Sequence, residues 1–290
     1  MSVHRRADWI RVLERRINGV FKELRTRAGE PCPPLDLNDL KASFRIVAVE
    51  ERPMIPEAAT EPVSGGFKVY LQDNFSDLPG TSVRRRFTLA HEFCHTLFYD
   101  LSKDAPTRVR GAPSGDAVEK LCHLGAGLLL VPTQLLELEL GSFAGKLSAR
   151  DVPVLARKFD VSIEVMLRRL QDVAGSTAID HAIILVGAEG VSHHHILAAL
   201  YSPWLLSHFD APTYGFQFDK WLRGLAGGKE MLGRDGFERQ VPGGRVVGSS
   251  PIYVGQNLFL FDLELKLGQE PRQEEFEYVE ESGSLASGPA

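Results

Sequence analysis

The chain has 290 residues, 43% hydrophobic, 24% charged and 9% aromatic, ordinary globular proportions that exclude disorder throughout. Lys and Arg number 33 against 38 Asp and Glu, a formal net charge of -5, so no global basic field exists to hold nucleic-acid phosphates. Cys32, Cys94 and Cys122 are too few for a disulfide framework or a paired CxxC zinc site; with no signal-peptide core and no run of ~18 apolar residues, the sequence predicts a cytoplasmic protein.

From Arg6 to about Ala28, Trp9, Ile10, Leu13, Ile17, Val20, Phe21 and Leu24 recur at spacings of three and four, the stripe of an amphipathic helix. Pro31-Cys32-Pro33-Pro34 stops it, and a short helix is predicted at 37–43. Residues 44–50 and 66–71 alternate and are read as two strands joined by a loop containing Pro and Glu. Residues 83–99 form a first buried helix, bearing Phe87, Leu89, Ala90, Phe93, Cys94, Leu97 and Phe98 on a broad face. A second runs from Asp116 to Leu130 and is closed by Pro132. Gly125-Ala126-Gly127 in its middle costs roughly 1 kcal/mol per glycine relative to alanine, a penalty offset where another helix, here the first, comes close.

Residues 148–172 read as two helices broken at Phe159-Asp160-Val161, with Ser162 as N-cap, a helix-turn-helix-like pair. Beyond a boundary near residue 175, residues 182–186, 196–201, 252–254 and 257–267 read as strands. Residues 269–290 contain six glutamates against one arginine and read as a disordered acidic tail.

The chemistry lies in His91-Glu92-Phe93-Cys94-His95 on the first buried helix. Residues four apart project from one face, so both imidazoles can reach a single metal with Glu92 beside a metal-bound water. Zinc lowers the pKa of such a water towards ~7, and a neighbouring carboxylate can take its proton as a carbonyl is attacked. Two polar rings and a carboxylate on so apolar a helix would be costly to bury without a ligand.

A catalytic zinc needs a third protein ligand and an open position. Phe98 and Leu101 occupy the places where the long motif has Gly and His, so the ligand comes from elsewhere. Asp100 and Asp104 lie just beyond the helix; Asp116, Glu119 and His123 form a polar stripe on the next one. Glu119 is preferred, completing a two-His, one-Glu set, with His123 as a supporting or transition-state donor and Asp116 as an N-cap. The same set also accommodates Mn²⁺ or Fe²⁺.

The blocks Arg85-Arg86-Phe87-Thr88-Leu89-Ala90-His91-Glu92-Phe93-Cys94-His95 and Glu119-Lys120-Leu121-Cys122-His123-Leu124-Gly125-Ala126-Gly127-Leu128-Leu129-Leu130-Val131-Pro132 resemble the ImmA/IrrE family of metallopeptidases. The resemblance covers roughly residues 35–170. It implies an α+β fold: a zincin-like metallopeptidase domain (1–147), a helix-turn-helix-like segment (148–175), a C-terminal GAF-like α/β sensor domain (176–268) and the tail (269–290). It also implies His91, His95 and Glu119 as Zn²⁺ ligands and Glu92 as general base; His123 stands where family members commonly have Asn. The implied activity is cleavage of a partner repressor, a helix-turn-helix DNA-binding protein, that derepresses stress-response or mobile-element genes. The competing expectation is a peptidase fold without activity, regulating transcription by binding DNA or a repressor.

Several features have plainer readings. Arg168 and Arg169 could face DNA phosphates, but two basic residues more often mark a wet helix face. Alternation puts only His193 and His195 of the triplet 193–195 on one side of a strand, which favours a surface strand or loop over a metal tract. Cys94 and Cys122 could face each other near the metal, and core packing is the preferred reading. Arg84-Arg85-Arg86 is either a solvated helix start or a steering patch for an acidic substrate.

Overall fold

The computed structural model describes residues 3–73, 81–142, 147–173, 181–189, 193–202, 237–241, 244–248, 252–255 and 258–267. Helix α1 (Val3–Ala28) buries the predicted stripe, with Leu13, Ile17, Val20, Phe21 and Leu24 all in the core. After α2 (Leu37–Leu40) come β1 (Ile46–Arg52), β2 (Ala58–Val63) and β3 (Gly66–Gln72), in the order β1-β3-β2. β1 runs parallel to β3 and β2 antiparallel to it. The sequence predicts two of these strands and takes β2 for a loop. Pro62 explains the difference, since a proline is tolerated on an edge strand, where its missing N–H costs no ladder bond.

Helix α3 (Thr81–His95) ends four residues earlier than its apolar pattern predicts, in a 3-10 turn over Thr96–Phe98. The chain then pairs β4 (Tyr99–Asp100) with β5 (Thr107–Arg108) and enters α4 (Asp116–Leu130). Asp116 is not the N-cap expected of it: Gly115, at φ 57°, holds that place without a side-chain cap. α5 (Thr133–Gly141) starts directly after Pro132. Sequence reading took this proline only as a terminator, whereas its fixed φ also suits the start of the next helix.

α6 (Asp151–Phe159) and α7 (Ile163–Val173) form the predicted pair. Asp160 turns the chain in the left-handed region at φ 53°, and Ser162 Oγ accepts from Val165 N at 3.2 Å. Arg169 corrects both readings of the basic pair. It is 3% exposed and donates to Val131 O at 3.0 Å, Thr133 Oγ1 at 2.9 Å and Asp172 Oδ2 at 2.7 Å, so it reaches neither water nor phosphate. Arg168 alone is on the surface, paired with Glu164. The arginine run is likewise committed: Arg84 pairs with Glu57, Arg85 with Glu51, and Arg86 donates to Leu35 O.

The remaining strands, β6 (Ala182–Glu189), β7 (His193–Tyr201), β8 (Phe237–Val241), β9 (Gly244–Gly248), β10 (Ile252–Gly255) and β11 (Leu258–Leu267), form an antiparallel sheet. Its order is β7-β6-β11-β9-β8, with β10 also on β11. β8 and β9 are absent from the sequence reading, because glycines at both ends of β9 hide its short alternation. Ile183, Leu185, Ala198, Leu200 and Leu260 share one hydrophobic cluster with the helices. Tyr201 N donates to Gln171 Oε1 at 3.2 Å, and Ala149 N to Asp262 Oδ1 at 2.8 Å. The acidic stretch 269–290 lies outside the described residues. Among the described residues no single helix is long and apolar enough to cross a membrane.

Candidate metal centre

α3 and α4 pack side by side, and Gly125 permits it. A Cβ there would lie 2.7 Å from Cys94 Sγ and 3.3 Å from Leu13 Cδ1, so the glycine admits side chains of α3 and α1 rather than a bare backbone. This brings the early turns of α4 against the last turns of α3. His91 Nε2 lies 3.1 Å from His95 Nε2 and 3.1 Å from Glu119 Oε2, and His95 Nε2 lies 3.7 Å from the same oxygen. Three donor atoms thus converge, although one N–H on His91 can serve only one of its two neighbours. Tetrahedral ligands at zinc-type bond lengths stand roughly 3.4 Å apart, so the donor set fits a divalent cation. His91 Nδ1 is buried with no hydrogen-bond partner among the described residues, so helix packing holds this ring.

The electrostatics suit a cation as well. Burial lowers the His91 pKa to about 4, helped by His95 and His123 and opposed by Glu119. Burial also lowers His95, again against Glu119. Both rings are therefore neutral, with lone pairs available. Glu92, on the same helix, is pushed up to about 7 by burial. Thr60 opposes that rise by donating its hydroxyl to Glu92 Oε2 at 2.7 Å.

His123 is exposed, with its ring 4.6 Å from that of His91 and stacked on Phe87 at 5.7 Å. It lines a cleft of about 370 Å³ together with Glu57, Arg84, Phe87, Thr88, His91, Glu92 and Glu119. Asp100 and Asp104 are occupied elsewhere, accepting from Ser102 and Ser64, and neither is brought to the centre. Cys122, which sequence reading gave to packing, is buried as expected, yet its sulfur and the His91 and His95 donor atoms all lie within 4.8 Å of one another. Thr60 is the residue that sequence reasoning does not find. It sits on the unpredicted β2, and nothing in the sequence links it to Glu92.

Residues 80–171 match the Peptidase_M78 family, the IrrE N-terminal-like domain, the family that the two motif blocks resemble. Over 92 residues the chain is 37% identical to the radiation response metalloprotease IrrE of Deinococcus deserti, a match covering 31% of this chain and 32% of that protein. The chain thus spans about a third of the length of the curated relative it matches. A solved structure of a Mycobacterium tuberculosis transcriptional regulator aligns over 88% of this chain and 76% of that one, at 16% identity and a TM-score of 0.45.

Proposed function

We propose that the chain is a zinc-dependent endopeptidase, acting in the cytoplasm on a helix-turn-helix transcriptional repressor and so derepressing stress-response or mobile-element genes. The observation that carries this reading is the convergence of His91 Nε2, His95 Nε2 and Glu119 Oε2 at separations of 3.1, 3.1 and 3.7 Å. These three residues would hold the metal, which when bound polarises a carbonyl and activates water. Glu92, poised near neutrality, takes the proton of the attacking water and returns it to the leaving amine. Thr60 fixes that carboxylate, and His123 on the cleft wall donates to the carbonyl oxygen as negative charge develops.

In this reading residues 1–147 are the peptidase, 148–175 a buttress beneath it, and 176–268 a GAF-like sensor, which the antiparallel sheet supports. The burial of Arg169 removes one of the two phosphate contacts that a DNA-binding role for 148–175 would use.

The test pairs metal analysis with cleavage. After exchange into metal-free buffer, wild type and Glu92→Gln should each retain about one zinc per chain and His95→Ala almost none. Wild type alone should cut a co-expressed repressor. Cleavage by Glu92→Gln at the wild-type rate would remove the assigned base. Failure of wild type to hold metal even after Zn²⁺ is restored would point to a non-enzymatic regulator.

A further inference from the structure

Helix α4 offers the histidine pair two different third donors. Glu119 and Cys122 are three residues apart and so share one face of the helix. Glu119 is half exposed at the cleft, whereas Cys122 is fully buried and in no disulfide. Among the described residues the Cys122 thiol has no hydrogen-bond partner. Its sulfur and the His91 and His95 donor atoms lie within 4.8 Å of one another, where a cysteine kept only for packing needs no lone pairs facing it. Tetrahedral nitrogen and sulfur ligands stand roughly 3.6 Å apart, so an adjustment of about 1 Å closes this set on an ion.

We propose that His91, His95 and Cys122 form a second donor set that captures a thiophilic d¹⁰ cation, Cd²⁺ or Cu⁺. The inference rests on the reading of the histidine pair as metal ligands. The two sets differ in the hardness of one atom. A carboxylate oxygen suits hard and borderline ions, whereas a thiolate selects soft ones. On binding, the S–H bond breaks, a metal–sulfur bond forms and the proton leaves to buffer.

The experiment uses the full chain in a Cys32→Ser background, because Cys32 is an exposed thiol. Cd²⁺ is titrated while the ultraviolet thiolate-to-metal charge-transfer band is followed, and zinc content is measured separately. The parent should show the band with about one Cd²⁺ per chain. Cys122→Ser and Cys122→Ala should lose it, with affinity for Cd²⁺ lower by roughly tenfold or more, yet retain zinc and a folded far-ultraviolet spectrum. Cys94→Ser should keep the band. Cadmium binding without a band in the parent, or a band that survives in both Cys122 variants, would overturn the assignment. So would loss of zinc from folded Cys122 variants, since the sulfur would then belong to the zinc set. Glu119→Gln separates the two ideas: it should weaken zinc and spare the cadmium band. Zinc binding indifferent to Glu119, with the band intact, would sink the functional reading and leave Cys122 assigned.

Discussion

The Thr60 hydroxyl donates to Glu92 Oε2 at 2.7 Å, joining edge strand β2 to helix α3. This bond opposes the burial that raises Glu92 to about 7. Thr60→Val keeps the shape and removes the donor, so the carboxyl should rise further. The acid limb of kcat/KM for cleavage should move to higher pH, by up to about one unit. A full pH profile checks this, and an unmoved acid limb would show that Glu92 is not the titrating base.

In the metal-free chain His91 and Glu92 act on stability with opposite sign. The His91 pKa is lowered from 6.5 to about 4, so its contribution is present above 6.5 and lost as pH falls through 4. The Glu92 pKa is raised from 4.5 to about 7, so its contribution is present below 4.5 and lost as pH rises through 7. Between those unfolded values, unfolding takes up one proton at the histidine and releases one at the carboxyl, and the two cancel. Glu92→Gln removes the release, while His95, also lowered, adds to the uptake. The metal-free variant should lose stability on acidification, His91 alone contributing up to roughly 1.4 kcal/mol per pH unit near the middle of that range, a slope steeper than that of metal-free wild type. Urea unfolding across this range measures both slopes, and equal slopes would contradict the assignment.

Arg169 is a structural cation. Its three bonds to Val131, Thr133 and Asp172 tie α7 to the α4–α5 junction. Arg169→Leu leaves a buried carbonyl and a part-buried hydroxyl without their donor and should cost about 2–4 kcal/mol. Arg168→Ala breaks an exposed pair with Glu164 and should cost under about 1 kcal/mol. Chemical denaturation of the two variants side by side is the measurement; similar losses would refute the distinction.

Gly125→Ala should destabilise the chain by about 1–3 kcal/mol, since the new methyl meets Cys94 Sγ. Cys94→Ala in the same chain removes that sulfur and should recover part of the loss. A double-mutant cycle with no coupling between the two sites would show that the helices separate freely instead.

Helix α4 was legible to the residue, Asp116–Leu130, because its apolar spacing, flanking turn residues and closing proline all agree. The convergence of His91, His95 and Glu119 was legible because spacing of four on one helix and a polar stripe on the next are local signals. Thr60 was not legible, and Cys122 was legible near the metal only as the lesser of two readings. Thr60 reaches Glu92 across a pairing of distant segments on a strand whose proline disguised it. Cys122 looks in sequence like any small core residue, and only the packing of α3 on α4 reveals what its sulfur faces. Arg169 misled because a charged residue beside another reads as surface, whereas two of the three partners that allow its burial are 36 and 38 residues away.

Helix α7 is a wall shared by two rooms. One side touches α4 and α5 and the other touches β7, and the apolar cluster runs through it from the helices around the histidine pair into the sheet. Such continuity makes the two halves one cooperative unit in melting rather than two that melt apart. A small molecule held by the distal sheet would therefore raise the unfolding temperature of the histidine centre as well, by mass action alone and with no movement of His91 or His95.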